Sequence, residues 1–273
     1  MSVNPHISIA IGNKSRIAQQ FSRAASTYNS NADVQLDIAF DTMAYVPSHF
    51  KNGLDIGCGT GRISQQLATR CDNLVAMDLA FGMLAYAKQN SLDGDPSICW
   101  LQGDADCLPV ADNSVNLIFS SMVLQWSDNQ QKVMSEISRV MAAGSDAILA
   151  IMCDGSFHQL NDSWQTIDSQ RHVNDFATAE TWYDAAKSQG LRVTMEQKHY
   201  ITWHKNIRLL LSSIKSIGAN VLLTNQDPVK YTKPKNVLNR QTLQHLETYY
   251  QQKYAENLQL PLTYQVCFLH CSK

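Results

Sequence analysis

Short apolar runs alternate along this chain with segments whose apolar residues recur at three- and four-residue spacing. Residues 53–56, 73–79, 98–102, 115–120 and 147–153 are apolar stretches of strand length. Residues 62–71, 82–89 and 130–141 lie among them and carry the helical period. Strands that alternate with helices predict an α/β doubly wound, mostly parallel sheet. Upstream, Ile17, Phe21, Ala24, Ala25 and Tyr28 predict a helix from about Lys14, after a loose tail over 1–13. Val34, Ile38, Phe40 and Met43 mark a second helix that ends before Pro47. Downstream, 176–187 is helical, with Thr178 as its N-cap and Gly190 just past its end. Residues 192–203 alternate as a strand, and 262–271 form a last buried one. Between these two, the stretch 205–258 is polar and helical, broken at Pro228 and Pro234. The expected organisation is an N-terminal tail and helices (1–50), an α/β core (51–204), a helical lid insert (205–258) and a final core strand (259–273). The whole is a seven-stranded Rossmann-like sheet.

Composition narrows the class. Of 273 residues, 44% are hydrophobic and 17% charged, ordinary for a globular chain of this length. The net charge of -2 gives no basic excess for nucleic acid. Seven cysteines, at 58, 71, 99, 107, 153, 267 and 271, form no Cys-x-x-Cys pair. That spacing predicts reduced thiols in a cytoplasmic protein and no metal site. The N-terminus lacks a basic start before an apolar run, and no stretch has the roughly 18 apolar residues of a membrane span.

The chemistry concentrates after the first predicted strand. Asp55-Ile56 leads into Gly57-Cys58-Gly59-Thr60-Gly61, and a helix follows at once. Such a turn lets a ligand approach the backbone beyond the carboxyl end of the strand. Dinucleotide sites favour Gly-x-Gly-x-x-Gly, but here the third glycine comes one residue early. A carboxylate at Asp55 would repel a pyrophosphate and would accept hydrogen bonds from an ammonium group. That favours S-adenosylmethionine over NAD. Asp78, at the end of the second strand, is placed to bond both ribose hydroxyls. Asp104 and Ala105, after the third, suit the adenine edge, with Leu79 and Met83 on its faces. Ser120, after the fourth, begins the segment nearest the transferable methyl. Each feature has a plain structural alternative: a loop glycine, a helix-capping acid, a core Leu or Met. Their order after four successive strands carries the reading. Cofactor contacts are therefore expected at Asp55, Gly57, Cys58, Gly59, Gly61, Asp78, Leu79, Met83, Asp104, Ala105 and Ser120.

The flanks of that core resemble the malonyl-acyl-carrier-protein O-methyltransferases of biotin synthesis, from about Lys14 to Leu269. The similar segments are 16–35, with its Phe21, Ala24-Ala25, Tyr28 and Gln35; Leu124-Gln125-Trp126; Gly155-Ser156, Trp164, Asp168, His172-Val173-Asn174 and Phe176; Ile214-Lys215-Ser216-Ile217-Gly218-Ala219-Asn220; and Pro261-Leu262-Thr263-Tyr264. Position 175 is Asp where some relatives carry a basic residue. The resemblance implies methyl transfer from S-adenosylmethionine to the free carboxylate of a malonyl thioester. The partner is an acyl carrier protein, or malonyl-CoA, and neither nucleic acid nor membrane. A monomer is expected. A malonyl carboxylate is ionised at neutral pH, so no general base is required. Tyr28 and Gln125 are candidates to close over the methyl and orient the acceptor. Lys215, with Arg208 second, is the candidate partner for the anion, the alternative being surface charge on an amphipathic helix. Lys205, Arg208, Lys215, Lys230, Lys233, Lys235 and Arg240 make the insert basic, as an acidic carrier would require. Two other readings share every cofactor feature: a small-molecule enzyme such as a quinone C-methyltransferase, and a donor-binding regulator without catalysis.

Overall fold

A computed structural model describes residues 5–30, 32–91, 98–216 and 239–273. Its seven strands are β1 (Phe50–Ile56), β2 (Cys71–Asp78), β3 (Ile98–Gln102), β4 (Val115–Ser121), β5 (Met141–Met152), β6 (Arg192–His204) and β7 (Leu260–Ser272). They form one sheet in the order β3-β2-β1-β4-β5-β7-β6. Pairings among β1 to β5 are parallel, while β7 runs antiparallel to both β5 and β6. The chain therefore leaves β1 in one direction and returns at β4 on its other side. A crevice opens beyond the carboxyl ends of strands at such a reversal.

Around the core lie α3 (Arg62–Ala68), α4 (Phe81–Gln89), α5 (Gln130–Val140), α6 (His158–Gln165) and α7 (Ala179–Ser188). Asn129 and Thr178 cap α5 and α7 by accepting from Lys132 N–H and Thr181 N–H. Gly190 follows α7 with φ of 79°. Leu54, Ile118, Leu149, Met134 and Trp182 belong to the largest buried cluster. A second cluster joins Ile38 of α2 (Asp33–Met43), Trp164 of α6, Ile207 of α8 (Ile207–Ser216) and Leu246 of α9 (Arg240–Tyr254) to Leu262 and Phe268 of β7. Apolar faces of N-terminal and insert helices thus bury against the same end of the sheet.

Four details differ from the pattern-based expectation. Helix α1 (Pro5–Tyr28) begins inside the supposed tail, with Pro5 at its first turn. Proline suits that position, and extending an existing helix costs less than starting one. In α2, Ala39 and Thr42 are buried, but Phe40 is 44% exposed, so the buried stripe follows Ile38, Ala39 and Thr42. Strand β5 begins directly after α5, and Gly144 at φ 75° lies in its early, irregularly paired part. Helix α6 had no clear period, because only Leu160 and Trp164 among its eight residues are large and apolar. Gly218, Ala219, Asn220, Lys230, Lys233 and Lys235 lie outside the described residues.

Candidate functional site

Three clefts meet at the carboxyl ends of β1 and β4. The first, of about 810 Å³, is bounded by Gly57, Gly59, Asp78, Leu79, Met83, Asp104 and Ala105 on the core side, and by Lys14, Phe21 and Tyr28 of α1 on the other. The second, of about 560 Å³, holds Asp55, Cys58, Arg62 and Ser121, with Gln35 of α2 and again Tyr28. The third holds Phe21, Gln35, Met122, Gln125, Trp126, Phe157 and Tyr264, and once more Tyr28. Tyr28 is thus common to all three walls.

The turn between β1 and α3 is built by close approach. Gly61 has φ of 78°, and a Cβ there would lie 2.5 Å from Trp100 Cη2 on β3. Gly57, at the same φ, has no room for a Cβ against Val123. Gly59 lies between them and donates its N–H to Asp78 Oδ2 at 2.9 Å. Asp78 Oδ1 accepts from Ala80 N–H at 2.7 Å. The Asp78 carboxylate is therefore fixed by the backbone, with lone pairs left toward the first cleft. Burial pushes its pKa up, and those two N–H groups oppose the rise.

Asp55 is 2% exposed, and its Oδ2 accepts from Ser64 Oγ at 2.6 Å. Burial pushes its pKa up to about 7; the Ser64 bond lowers it and nearby Asp78 raises it. An ammonium group arriving in the second cleft would hold it ionised. Burial likewise raises the Cys58 thiol, which makes Cys58 an inert wall rather than a nucleophile. Asp104 accepts from Lys14 Nζ on both oxygens at 2.7 Å. Ser120 departs from its expected role. It is fully buried, and its Oγ donates to Ile56 O at 2.9 Å, tying β4 to β1. Strand alternation turns the next residue, Ser121, toward the first and second clefts instead.

Gln125 sits in a short 3₁₀ turn, Leu124–Trp126. Its Nε2 donates to Met122 O at 2.7 Å, and Met122 itself takes φ of 58°. A non-glycine residue in the left-handed region is strained, and such strain gathers at functional sites. Buried side-chain atoms left without a partner include Gln35 Oε1, Ser121 Oγ and Gln125 Oε1. All three belong to walls of the second or third cleft. Buried polar groups are ordinarily satisfied, so unpaired ones converging on a cavity mark places for ligand atoms. The sequence reached Gln35 and Ser121 only as members of longer segments, 16–35 and the stretch from Ser120 to Trp126 nearest the methyl, and gave neither a role of its own.

The walls of the third cleft are aromatic. Phe21 meets Trp126 edge-on at 5.8 Å, and Phe157 meets Tyr264 at 4.9 Å. Its titratable groups among the described residues are Tyr28 and Tyr264, both raised by burial and so poor bases. No described cation lines it. Lys215 and Arg208 stand exposed on α8, whose buried face is Ile207, Leu210 and Ile214, and neither lines any of these clefts. His172 is held by Asp168 at 2.9 Å and stacks on Trp164 at 3.9 Å, a packing role.

A family model described as a methyltransferase domain matches residues 54–149, from the glycine turn through β5. The chain is 33% identical over 258 residues to a malonyl-[acyl-carrier protein] O-methyltransferase of Pectobacterium atrosepticum, covering 94% of this chain and 95% of that one. It is 32% identical over 259 residues to the biotin biosynthesis bifunctional protein BioHC of Cellvibrio japonicus. There it spans about half of the relative's length, 49%, and 94% of its own. The YcgJ protein of Bacillus subtilis has a similar fold, with a TM-score of 0.61 at 14% identity, covering 87% of this chain and 98% of that one.

Proposed function

The chain belongs to the malonyl-acyl-carrier-protein O-methyltransferase family, and from that premise we propose how its residues carry out the reaction. The protein is a class I methyltransferase that uses S-adenosylmethionine to methylate the free carboxylate of a malonyl thioester, as in biotin synthesis. The acyl carrier protein is the substrate's bearer. The bound donor supplies a methyl group on a positively charged sulfur.

The first cleft takes the adenosine end: Asp78 accepts from the ribose hydroxyls, Leu79 and Met83 flank the adenine, and Asp104 and Ala105 meet its edge. The second cleft takes the amino-acid end. There Asp55 and Gln35 Oε1 accept from the ammonium, and Ser121 Oγ bonds the polar backbone of that end. The third cleft takes the acceptor. The observation that carries this assignment is Tyr28, present in all three walls at the point where donor and acceptor must touch. Tyr28 and Gln125 orient the acceptor there.

Charge explains why the third cleft has no described cation. A single carboxylate entering it is matched by the sulfonium facing it. The two charges cancel as the bond forms, so an apolar, water-poor wall favours the step. Alignment of the reacting atoms supplies much of the remainder. Buried tyrosines with raised pKa would serve badly as bases, which favours an acceptor that is already an anion over one that must lose a proton from carbon or oxygen. Free malonate, with two carboxylates, would leave one charge unmatched.

The test uses methyl-labelled donor with malonyl-acyl carrier protein, malonyl-CoA, free malonate and a ubiquinone precursor. Label should appear as a base-labile methyl ester on the thioesters and far less on malonate. Transfer to the quinone precursor, with none to either thioester, would overturn the reading.

A further inference from the structure

Lys14 is the cation at the adenine end of the donor cleft, and nothing in the cofactor reading assigns it a task. It lies on α1, is 17% exposed, and makes three short contacts with two carboxylates of the loop after β3. Its Nζ is 2.7 Å from both oxygens of Asp104 and 2.6 Å from Asp106 Oδ2. Asp106 Oδ1 in turn accepts from Ser127 Oγ at 2.6 Å, and Asp104 Oδ1 also accepts from Asp106 N–H at 3.0 Å. Asp128 is close enough for Lys14 to lower its pKa, against burial and Asp106, which raise it. One ammonium group is therefore shared by two carboxylates where the adenine edge would lie, with a third close by. Lys14 and Asp104 both line the same cleft.

We propose that Lys14 is a positioning residue for nucleobase recognition: it holds the Asp104 carboxylate in place to accept from the 6-amino group of the donor. This rests on the donor-site reading given above. A carboxylate has about four lone-pair directions. Lys14, bonding both oxygens, and the Asp106 N–H take three of them and leave one for a ligand donor. A carboxylate oxygen accepts from an amino group and repels a ring carbonyl oxygen at the same place. The ion pair has a second effect, because its cation is carried by the helix that roofs the cleft. The same helix is seated on α4 by Gly82 N–H, which donates to Ser22 Oγ at 3.1 Å, and Asn29, just past its end, accepts from Thr60 Oγ1 of the glycine turn at 2.7 Å. A Cβ at Gly82 would come within 2.7 Å of Ser22, so the two helices touch at backbone distance. The contact that positions Asp104 thus comes from the same helix that these contacts seat over the cleft.

The experiment compares binding of S-adenosylhomocysteine with that of S-inosylhomocysteine, in which oxygen replaces the 6-amino group. Calorimetry is done on the full chain and on Lys14→Met and Lys14→Arg. The unaltered protein should prefer the adenine compound by about tenfold or more, as expected for a hydrogen bond to a charged group. Lys14→Met should bring that ratio near one, and Lys14→Arg should restore most of it. The donor KM of Lys14→Met should rise by a larger factor than its kcat falls. If Lys14→Met does not fold, Lys14→Gln is read on the same ratio. A Lys14 variant that weakens both compounds equally, or leaves the ratio intact, overturns the proposal, since a purely structural residue would do that. Failure of the unaltered protein to bind either compound overturns the donor-site reading itself.

Discussion

At the scale of single residues, Asp55 couples the site to pH. Its carboxyl ionises near neutrality in the empty protein because burial disfavours the charge. Only the ionised form pairs with an ammonium group, so donor affinity should be level above pH 7. Below that it should fall toward about tenfold per pH unit. Folding stability moves the other way. The unfolded chain ionises this group near its ordinary value, while the folded, empty protein keeps the proton up to about 7. Empty protein therefore loses stability as pH rises from about 4 to 7, and bound donor returns it. The melting-temperature gain from S-adenosylhomocysteine should grow between pH 5.5 and 7.5, and Asp55→Asn should flatten that growth. The place of Asp55 at the second cleft was legible in the sequence, because its position before the glycines sufficed. Ser121 was not. Two adjacent serines end the strand, and only the actual pleat shows that Ser120 bonds to Ile56 while Ser121 faces the clefts.

At the scale of elements, the glycine turn joins three pieces of structure. Gly61 stands at the start of α3 against Trp100 of β3, so the site's shape depends on helix–strand contact. Gly61→Ala should lower stability by about 2–4 kcal/mol, combining left-handed strain with overpacking. Chemical denaturation would measure it, and a loss under 1 kcal/mol would show that Trp100 gives way. Elements with strong apolar periods were readable nearly to the residue: β3 and the cap of α7 fell where the pattern put them. Elements held by tertiary contact were not. Helix α6 has little period of its own. Its place is fixed by Trp164 in the core and by Gln159, whose Nε2 donates to Thr263 Oγ1 on β7. The tilt of α2, which leaves Phe40 outside, likewise depends on what it packs against.

At the scale of the whole molecule, the question is where a carrier protein rests. Residues 205–216 carry Lys205, Arg208 and Lys215 and no acid, and all three are exposed. Exposed cations away from the reacting atoms suit docking of an acidic surface better than contact with a buried carboxylate, which relocates the role first expected for Lys215. The combined variant Arg208→Glu and Lys215→Glu should raise KM for malonyl-acyl carrier protein several-fold. KM for malonyl-CoA should change little, and the effect should fade with added salt. Equal loss on both substrates would place these residues elsewhere in the reaction. The charge in this region can be read from the sequence; which way α8 faces cannot.

The strand order carries a consequence for how the chain comes into being. β7 lies between β5 and β6, yet it is synthesised after both. Until it emerges from the ribosome, β5 has no neighbour on that side and β6 has none at all. In the finished sheet the two strands stand about 10 Å apart, two strand spacings. An open edge of this length invites pairing with another chain. The nascent protein must hold its half-built sheet unpaired until β7 slots into the gap, so its risk of aggregation is greatest just before that strand is in place.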